Sequence, residues 1–125
     1  MKIIISNSGE KPIYEQISEQ IKDLIATGEL TPEQMLPSMR YLAKELRISV
    51  ITTKRAYEDL EREGFITTVP GKGCFVAGGN LQLLREHKLK EMEYYLQKSS
   101  QSARLAGVGL QEMQEVLAVL FEEEQ

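Results

Sequence analysis

The chain has 125 residues, about the length of one domain with a short appendage, and 42% of them are hydrophobic. Its formal net charge is −4, and its 27% of charged residues are interspersed with enough apolar positions to exclude wholesale disorder. No apolar run approaches the roughly 20 residues that span a bilayer, so we expect no membrane partner.

An extended arm and an amphipathic helix are predicted at the N-terminus. Ile3–Ile5 is a β-branched run that Asn7-Ser8-Gly9 interrupts. From Pro12 onward the apolar residues lie on one face of a helix that we expect to end at Gly28. This face comprises Ile13, Tyr14, Ile17, Ile21, Leu24 and Ile25.

Two short helices joined by a tight turn are predicted next. Ser38 is a favourable N-cap for the second helix, and Ser49 for the third, which we expect to end at Gly64. Only Arg47-Ile48 separates them, a spacing typical of a helix-turn-helix. The expected inward residues are Leu42, Ala43 and Leu46 of the second helix and Val50, Ala56, Tyr57 and Leu60 of the third.

The next segment is predicted to be a β-hairpin. Phe65–Val69 and Cys74–Ala77 are β-favouring runs, and the turn residues Pro70–Gly73 separate them. Behind a helix-turn-helix, such a hairpin is a wing. Gly78-Gly79 then provides a linker.

Two helices are predicted to complete the chain. Asn80 can cap a fourth helix that runs through about Leu105, and a last helix begins at Leu110. The acidic tail, Glu122–Glu124, is unfavourable at a helix C-terminus and is expected to fray. The last helix is too short to be stable alone, and the fourth helix can cover only part of its apolar face, so we expect a second copy to cover the remainder of both helices. The predicted dimer interface comprises Leu84, Met92, Tyr95, Leu96, Met113, Leu117, Leu120 and Phe121.

The distribution of charge indicates a nucleic-acid partner despite the acidic total. Residues 36–57 contain five basic side chains and a single acidic one, and residues 64–79 contain Lys72 and no acid. Reading duplex DNA requires a helix N-terminus in the major groove with small polar and basic side chains. Arg40 lies near the start of the second helix. The first turns of the third helix carry small polar and basic residues of this kind, namely Ser49, Thr52, Thr53 and Lys54. An ordinary helical hairpin with solvated charges remains the alternative on composition alone.

Residues suited to catalysis or metal binding are scarce. Cys74 and His87 are the chain's only cysteine and histidine, and no third group is suggested that would complete a catalytic site. These counts exclude an internal disulfide framework and the usual His/Cys zinc sites within one chain. Because the lone cysteine fits a reducing compartment and only Ile3–Ile5 follows Lys2, we expect a cytoplasmic protein without a signal peptide. We expect no enzyme activity and no cofactor.

Five separated segments form an ordered set of motifs along the chain: Pro12–Ile17, Leu36–Ala43, Thr53–Tyr57, Glu63–Ile66 and Gly71–Val76. Their residues and their order resemble those of the GntR family of bacterial transcription regulators, and the resemblance covers about residues 10–77. The short C-terminal part is similar to the YtrA subfamily, whose tail is two helices used for dimerisation. The predicted fold is therefore mainly α with a small β-hairpin: a winged helix-turn-helix over residues 1–77, a linker at 78–79 and a two-helix dimerisation segment over 80–125.

The resemblance also implies roles for individual residues. Arg40 matches an arginine that contacts DNA, and Gly71 and Lys72 match a wing tip that enters the minor groove. Two positions depart from the family pattern. Val50 stands where many relatives have arginine, so its side chain either packs on a thymine methyl group or faces the protein. Arg47 stands where glycine is common in the turn. Positions of the third helix that match contacts to phosphates or bases are Ser49, Ile51, Thr52 and Lys54.

Homodimeric repression at a pseudo-palindromic operator is the function that these features predict. The subfamily resemblance implies the genes of an ABC transporter as targets. Two alternatives remain open: a regulator that senses a small molecule in a pocket at the dimer interface, and a winged helix used purely as a protein interaction module.

Overall fold

The computed structural model describes residues 1–79 and 81–123 and contains two compact units, Met1–Arg85 and Glu86–Gln125. The elements are α1 (Ile13–Thr27), α2 (Met39–Leu46), α3 (Val50–Arg62), β1 (Ile66–Val69), β2 (Gly73–Val76), α4 (Leu81–Ala106) and α5 (Leu110–Glu123). The predicted fold class, mainly α with one antiparallel hairpin, is confirmed. Asn80, the predicted cap of α4, and Glu124 in the tail lie outside the described residues. Over the described residues, every helix is too short or too polar to cross a bilayer.

The N-terminal arm is held against α1 by two glutamine side chains. Gln20 bonds both backbone groups of Ile4, accepting from its N–H at 2.9 Å and donating to its carbonyl at 2.7 Å. Gln16 makes the same pair of contacts with Ser6, both at 2.9 Å. Ile3 is thereby buried in the core, so the arm is part of the folded unit.

Helix α3 is the centre of the first unit, where it packs against α1, α2 and β1. Its buried residues are Thr53, Ala56, Tyr57 and Leu60. The expectation that Val50 faces inward is wrong: Val50 is the first residue of α3 and is exposed, and the buried stripe begins one turn later at Thr53. A threonine can be buried there because its hydroxyl donates to the carbonyl of Ser49 at 3.3 Å.

A backbone segment beside the hairpin extends the wing. Strands β1 and β2 pair with Ile66 opposite Val76 and Val69 opposite Gly73. On the other side of β2, the N–H of Leu36 donates to the carbonyl of Cys74 at 2.8 Å, and Met35 forms a bridge with Phe75. The chain that leads into α2 is therefore tied to the wing.

The boundary between the two units lies inside α4, later than the predicted linker at Gly78-Gly79. Leu84, in the first turns of α4, is 3% exposed and belongs to the hydrophobic core of the first unit. The prediction that Leu84 contributes to a dimer interface is wrong, because its side chain is already covered within its own chain.

The second unit consists of the rest of α4 and all of α5. Gly107, at φ 74°, ends α4, and the N–H of Val108 donates to the carbonyl of Ala103 at 2.8 Å. None of the residues of α5, all of which the structure describes, is buried.

Candidate nucleic-acid interface

The starts of α2 and α3 are formed by the predicted serine caps. The Ser38 side chain accepts a hydrogen bond from the N–H of Tyr41, and that of Ser49 accepts one from the N–H of Thr52, each at 3.1 Å. Each cap satisfies a backbone donor that would otherwise lack a partner in the first turn. Both helix N-termini are thus well defined by local sequence.

Tyr57 connects the two helices at a buried position. Its hydroxyl donates to the carbonyl of Pro37 at 2.7 Å, directly before the cap of α2. Burial, and secondarily the nearby Cys74 thiol, raises the pKa of Tyr57, so the phenol keeps the proton that it donates. This bond holds the first turn of α2, which carries Arg40, against α3.

The basic residues around the turn are mostly exposed. Arg40, Lys44 and Arg47 are exposed on α2 and its C-terminus, and Lys54 is exposed on α3, 3.8 Å from Glu58. The carboxylate of Glu45, the single acid of the segment, lies beside the Tyr41 hydroxyl and raises the pKa of that phenol. The charge that composition indicated is therefore available to an anionic partner.

Arg55 differs from the other basic residues of the segment. Its guanidinium stacks on the ring of Tyr14, 3.8 Å from the ring centroid, and so links α3 to α1. Lys22 of α1 is another cation with a structural position that sequence reasoning missed. It is buried, 3.0 Å from Glu63 and over the ring of Phe65.

The side chains at the start of α3 pass from exposed to buried along the first turn. Val50 and Ile51 are exposed, whereas Thr52 is half-buried. Thr53, which the sequence pattern predicts to be a DNA contact, has no exposed surface and is removed from the candidate set. The sequence contains a signal that Thr53 is buried: it has the helical spacing that places it on one face with Ala56, Tyr57 and Leu60. That spacing predicts burial more strongly than the polar hydroxyl predicts exposure.

The wing tip is a tight turn that needs glycine. The N–H of Lys72 donates to the carbonyl of Val69 at 2.9 Å, and Gly71 has φ 77°. Pro70 and Gly71 are thus the central residues of a type II turn, in which the second central position requires positive φ. Lys72 is exposed at this tip.

Arg47 closes α2 in a left-handed conformation, at φ 57° and ψ 48°. The N–H of Arg47 bonds Lys44 and that of Ile48 bonds Ala43, the two hydrogen bonds of a Schellman motif. Glycine is the usual residue at this position, and another L-residue carries about 1 kcal/mol of strain. The conditional prediction that Arg47 is strained is met by the geometry.

Comparison with known proteins identifies this arrangement. The family model described as "Bacterial regulatory proteins, gntR family" matches residues 13–76, about half of the chain. The chain belongs to the GntR family. This GntR-family protein is a transcription regulator with a winged helix-turn-helix, and its relatives are regulators, not enzymes, as the sequence predicted.

Three relatives illustrate the similarity. The HTH-type transcriptional repressor YtrA of Bacillus subtilis (strain 168) is 36% identical over 113 residues, which are 90% of this chain and 87% of YtrA. A GntR family transcriptional regulator from Listeria monocytogenes is 25% identical with a TM-score of 0.77, covering 91% of this chain and 97% of that one. The AraR DNA-binding domain in complex with operator ORX1 is 29% identical with a TM-score of 0.55, covering 62% and 96%, respectively.

Replacing Gly71 with valine in this GntR-family protein should weaken DNA binding several-fold and leave the oligomeric state unchanged. The site has space for a side chain, but positive φ strains a β-branched residue by about 1–2 kcal/mol, so the turn deforms. Gel-shift titration measures the affinity. Gly71→Asn, which tolerates the left-handed conformation, should retain most of it. Wild-type affinity of Gly71→Val would show that the wing tip does not approach DNA.

Replacing Arg47 with glycine should raise the free energy of unfolding by about 1 kcal/mol, because the strain at the end of α2 is relieved. The same change should weaken DNA binding through the loss of one exposed charge. Urea denaturation and gel-shift titration separate the two effects. If Arg47→Gly instead destabilises the protein, the Arg47 side chain supports the fold more than its backbone strains it.

Proposed function

We propose that this GntR-family protein is a repressor that binds a pseudo-palindromic operator as a homodimer. The proposal rests on two capped helix N-termini with exposed basic side chains, together with a wing whose turn requires glycine. A helix N-terminus both donates backbone N–H groups to phosphate and fits the major groove. The similarity to YtrA, a protein named as a transcriptional repressor, supports the direction of regulation.

The proposed DNA contacts divide by chemistry. Arg40 is suited to a guanine edge or a phosphate, and Lys54 and Lys72 to phosphates. Ser49 and Thr52 carry hydroxyls next to the N–H groups of the first turn of α3. The remaining members of the proposed set are Val50, Ile51 and Gly71.

The proposed homodimer rests on the second unit. Its helices α4 and α5 border a groove of about 590 Å³. The lining residues are Met92, Leu96, Gln114, Leu117, Ala118, Phe121 and Glu122. Four of them belong to the predicted interface, and its further members Tyr95 and Leu120 are exposed. A second copy around a two-fold axis would cover these apolar surfaces in both chains at once.

Two binding units in one dimer match the two halves of a pseudo-palindrome. The first half-site contact brings the second unit to a high effective concentration, so a dimer binds far more tightly than its separate units. We propose a transporter operon as the target, which rests on the resemblance to the YtrA subfamily.

In vitro selection from a random duplex library, using the full chain, tests the function. The expected result is enrichment of an inverted repeat, with protection of both halves in footprinting and one dimer per duplex in sedimentation. Low affinity for every duplex, with a weak dependence on salt, would favour a protein interaction module. Selection of the same repeat only in the presence of a small molecule would favour a ligand-sensing regulator.

A further inference from the structure

An exposed isoleucine stands at the start of α3. Ile51, the second residue of the helix, is 81% exposed, more than any other large hydrophobic side chain in the described part of the first unit. Val50 beside it is also exposed. Single exposed apolar residues are common on protein surfaces, so exposure alone does not indicate a partner. The position, in the first turn of the second helix of a helix-turn-helix, is the one that reaches base edges in such folds.

The polar side chains of the same turn are already engaged. The hydroxyls of Ser49 and Thr52 hydrogen bond to each other at 2.7 Å, and Ser49 also accepts from the N–H of Thr52. The Thr53 hydroxyl is turned inward to the carbonyl of Ser49. Between Ser49 and Thr53, the side chains that project from the helix without an internal hydrogen bond are therefore the aliphatic ones of Val50 and Ile51.

An aliphatic side chain can recognise one group in the major groove. Among the four bases, only thymine presents a methyl group there, at C5. A β-branched residue in a helix is held mostly in one rotamer, so Ile51 loses little side-chain freedom when it packs on a base. We propose that Ile51 is a specificity-determining residue that packs on the C5-methyl group of a thymine in each operator half-site. This inference rests on the proposed function.

The test removes the methyl group from the DNA and the side chain from the protein. The probe is the duplex selected in vitro by the full chain, with each thymine replaced in turn by deoxyuridine, which pairs identically but lacks the methyl. Loss of one buried methyl contact should weaken binding about fourfold, and loss of the symmetric pair about fifteenfold. The Ile51→Ala protein should bind thymine and uracil duplexes equally at that position, and at other positions its preference should match the wild type.

Folding does not confound this experiment. Ile51 is nearly surrounded by solvent, and alanine has the highest helix propensity, so Ile51→Ala should keep the wild-type unfolding midpoint. Ile4→Ala, which truncates another exposed isoleucine on the N-terminal arm, is the matched control and should retain full discrimination between thymine and uracil.

The outcomes separate the inference from the function on which it rests. If no duplex is enriched, the proposed function fails, and the inference with it. If a duplex is enriched but its half-sites lack a methyl-sensitive thymine, or if Ile51→Ala still discriminates thymine from uracil as the wild type does, the inference is overturned while the function stands.

Discussion

Replacing Leu117 with aspartate should convert the proposed dimer into a monomer that keeps its helical content. Leu117 is on α5 and lines the groove that α4 and α5 border. The lining residues include Glu122 but no basic side chain. A carboxylate buried there would lack a charged partner, and burial of an unpaired charge costs several kcal/mol. Specific operator affinity should fall on the order of 100-fold or more, because each unit then binds its half-site alone.

Sedimentation and gel-shift assays measure the two effects of Leu117→Asp. Ser102→Asp, which adds the same charge at an exposed position of α4 outside the groove lining, is the control and should remain dimeric. A dimeric Leu117→Asp protein would move the interface elsewhere. A monomer that binds the operator as tightly as the wild type would separate dimerisation from DNA recognition.

Replacing Arg40 with alanine should weaken operator binding by about 1–3 kcal/mol if the guanidinium reads a base edge. Arg40 is exposed in the first turn of α2, and the bond from Tyr57 to Pro37 holds that turn in place. If Arg40 contacts only phosphate, binding to every sequence should weaken alike, and the slope of log affinity against log salt should fall in magnitude by about 1.

Two further variants isolate the chemistry of Arg40. Arg40→Lys keeps the charge but loses the planar, bidentate donor, so it should rescue a phosphate contact and not a base contact. Lys88→Ala removes one positive charge from α4, where Lys88 lies 3.8 Å from Glu91, and should leave affinity unchanged. Equal binding of wild-type and Arg40→Ala protein to specific and random duplexes would remove Arg40 from the site.

The boundaries of the helices could be predicted because the signals that set them are local. Ser38 and Ser49 cap their helices through bonds to N–H groups three residues ahead, and Gly28 closes α1 in the left-handed conformation. Such interactions depend on neighbours in sequence, so no knowledge of the rest of the fold is needed. The turn at Pro70-Gly71 was predictable for the same reason.

The candidate site was predicted in outline but not in every residue. The basic stretch and the resemblance to the GntR family both pointed to the starts of the second and third helices. They did not distinguish Thr53, which is buried, from Ile51, which projects into solvent two residues earlier. The hydroxyl of Thr53 favours this residue as a DNA contact. Helix periodicity excludes it, because Thr53 shares the buried face of α3 with Ala56, Tyr57 and Leu60.

The sequence by itself determined which segments are helices, where each begins, the hairpin that follows them, and the family to which the pattern belongs. The tertiary structure decided which apolar face is covered by which neighbour. Leu84 lies in the core of the first unit and not at a subunit interface, Arg55 stacks on Tyr14, and the residues before α2 pair with the wing. Periodicity identifies a buried face, but the partner that buries it comes from a distant part of the chain, and only the packed fold brings the two together.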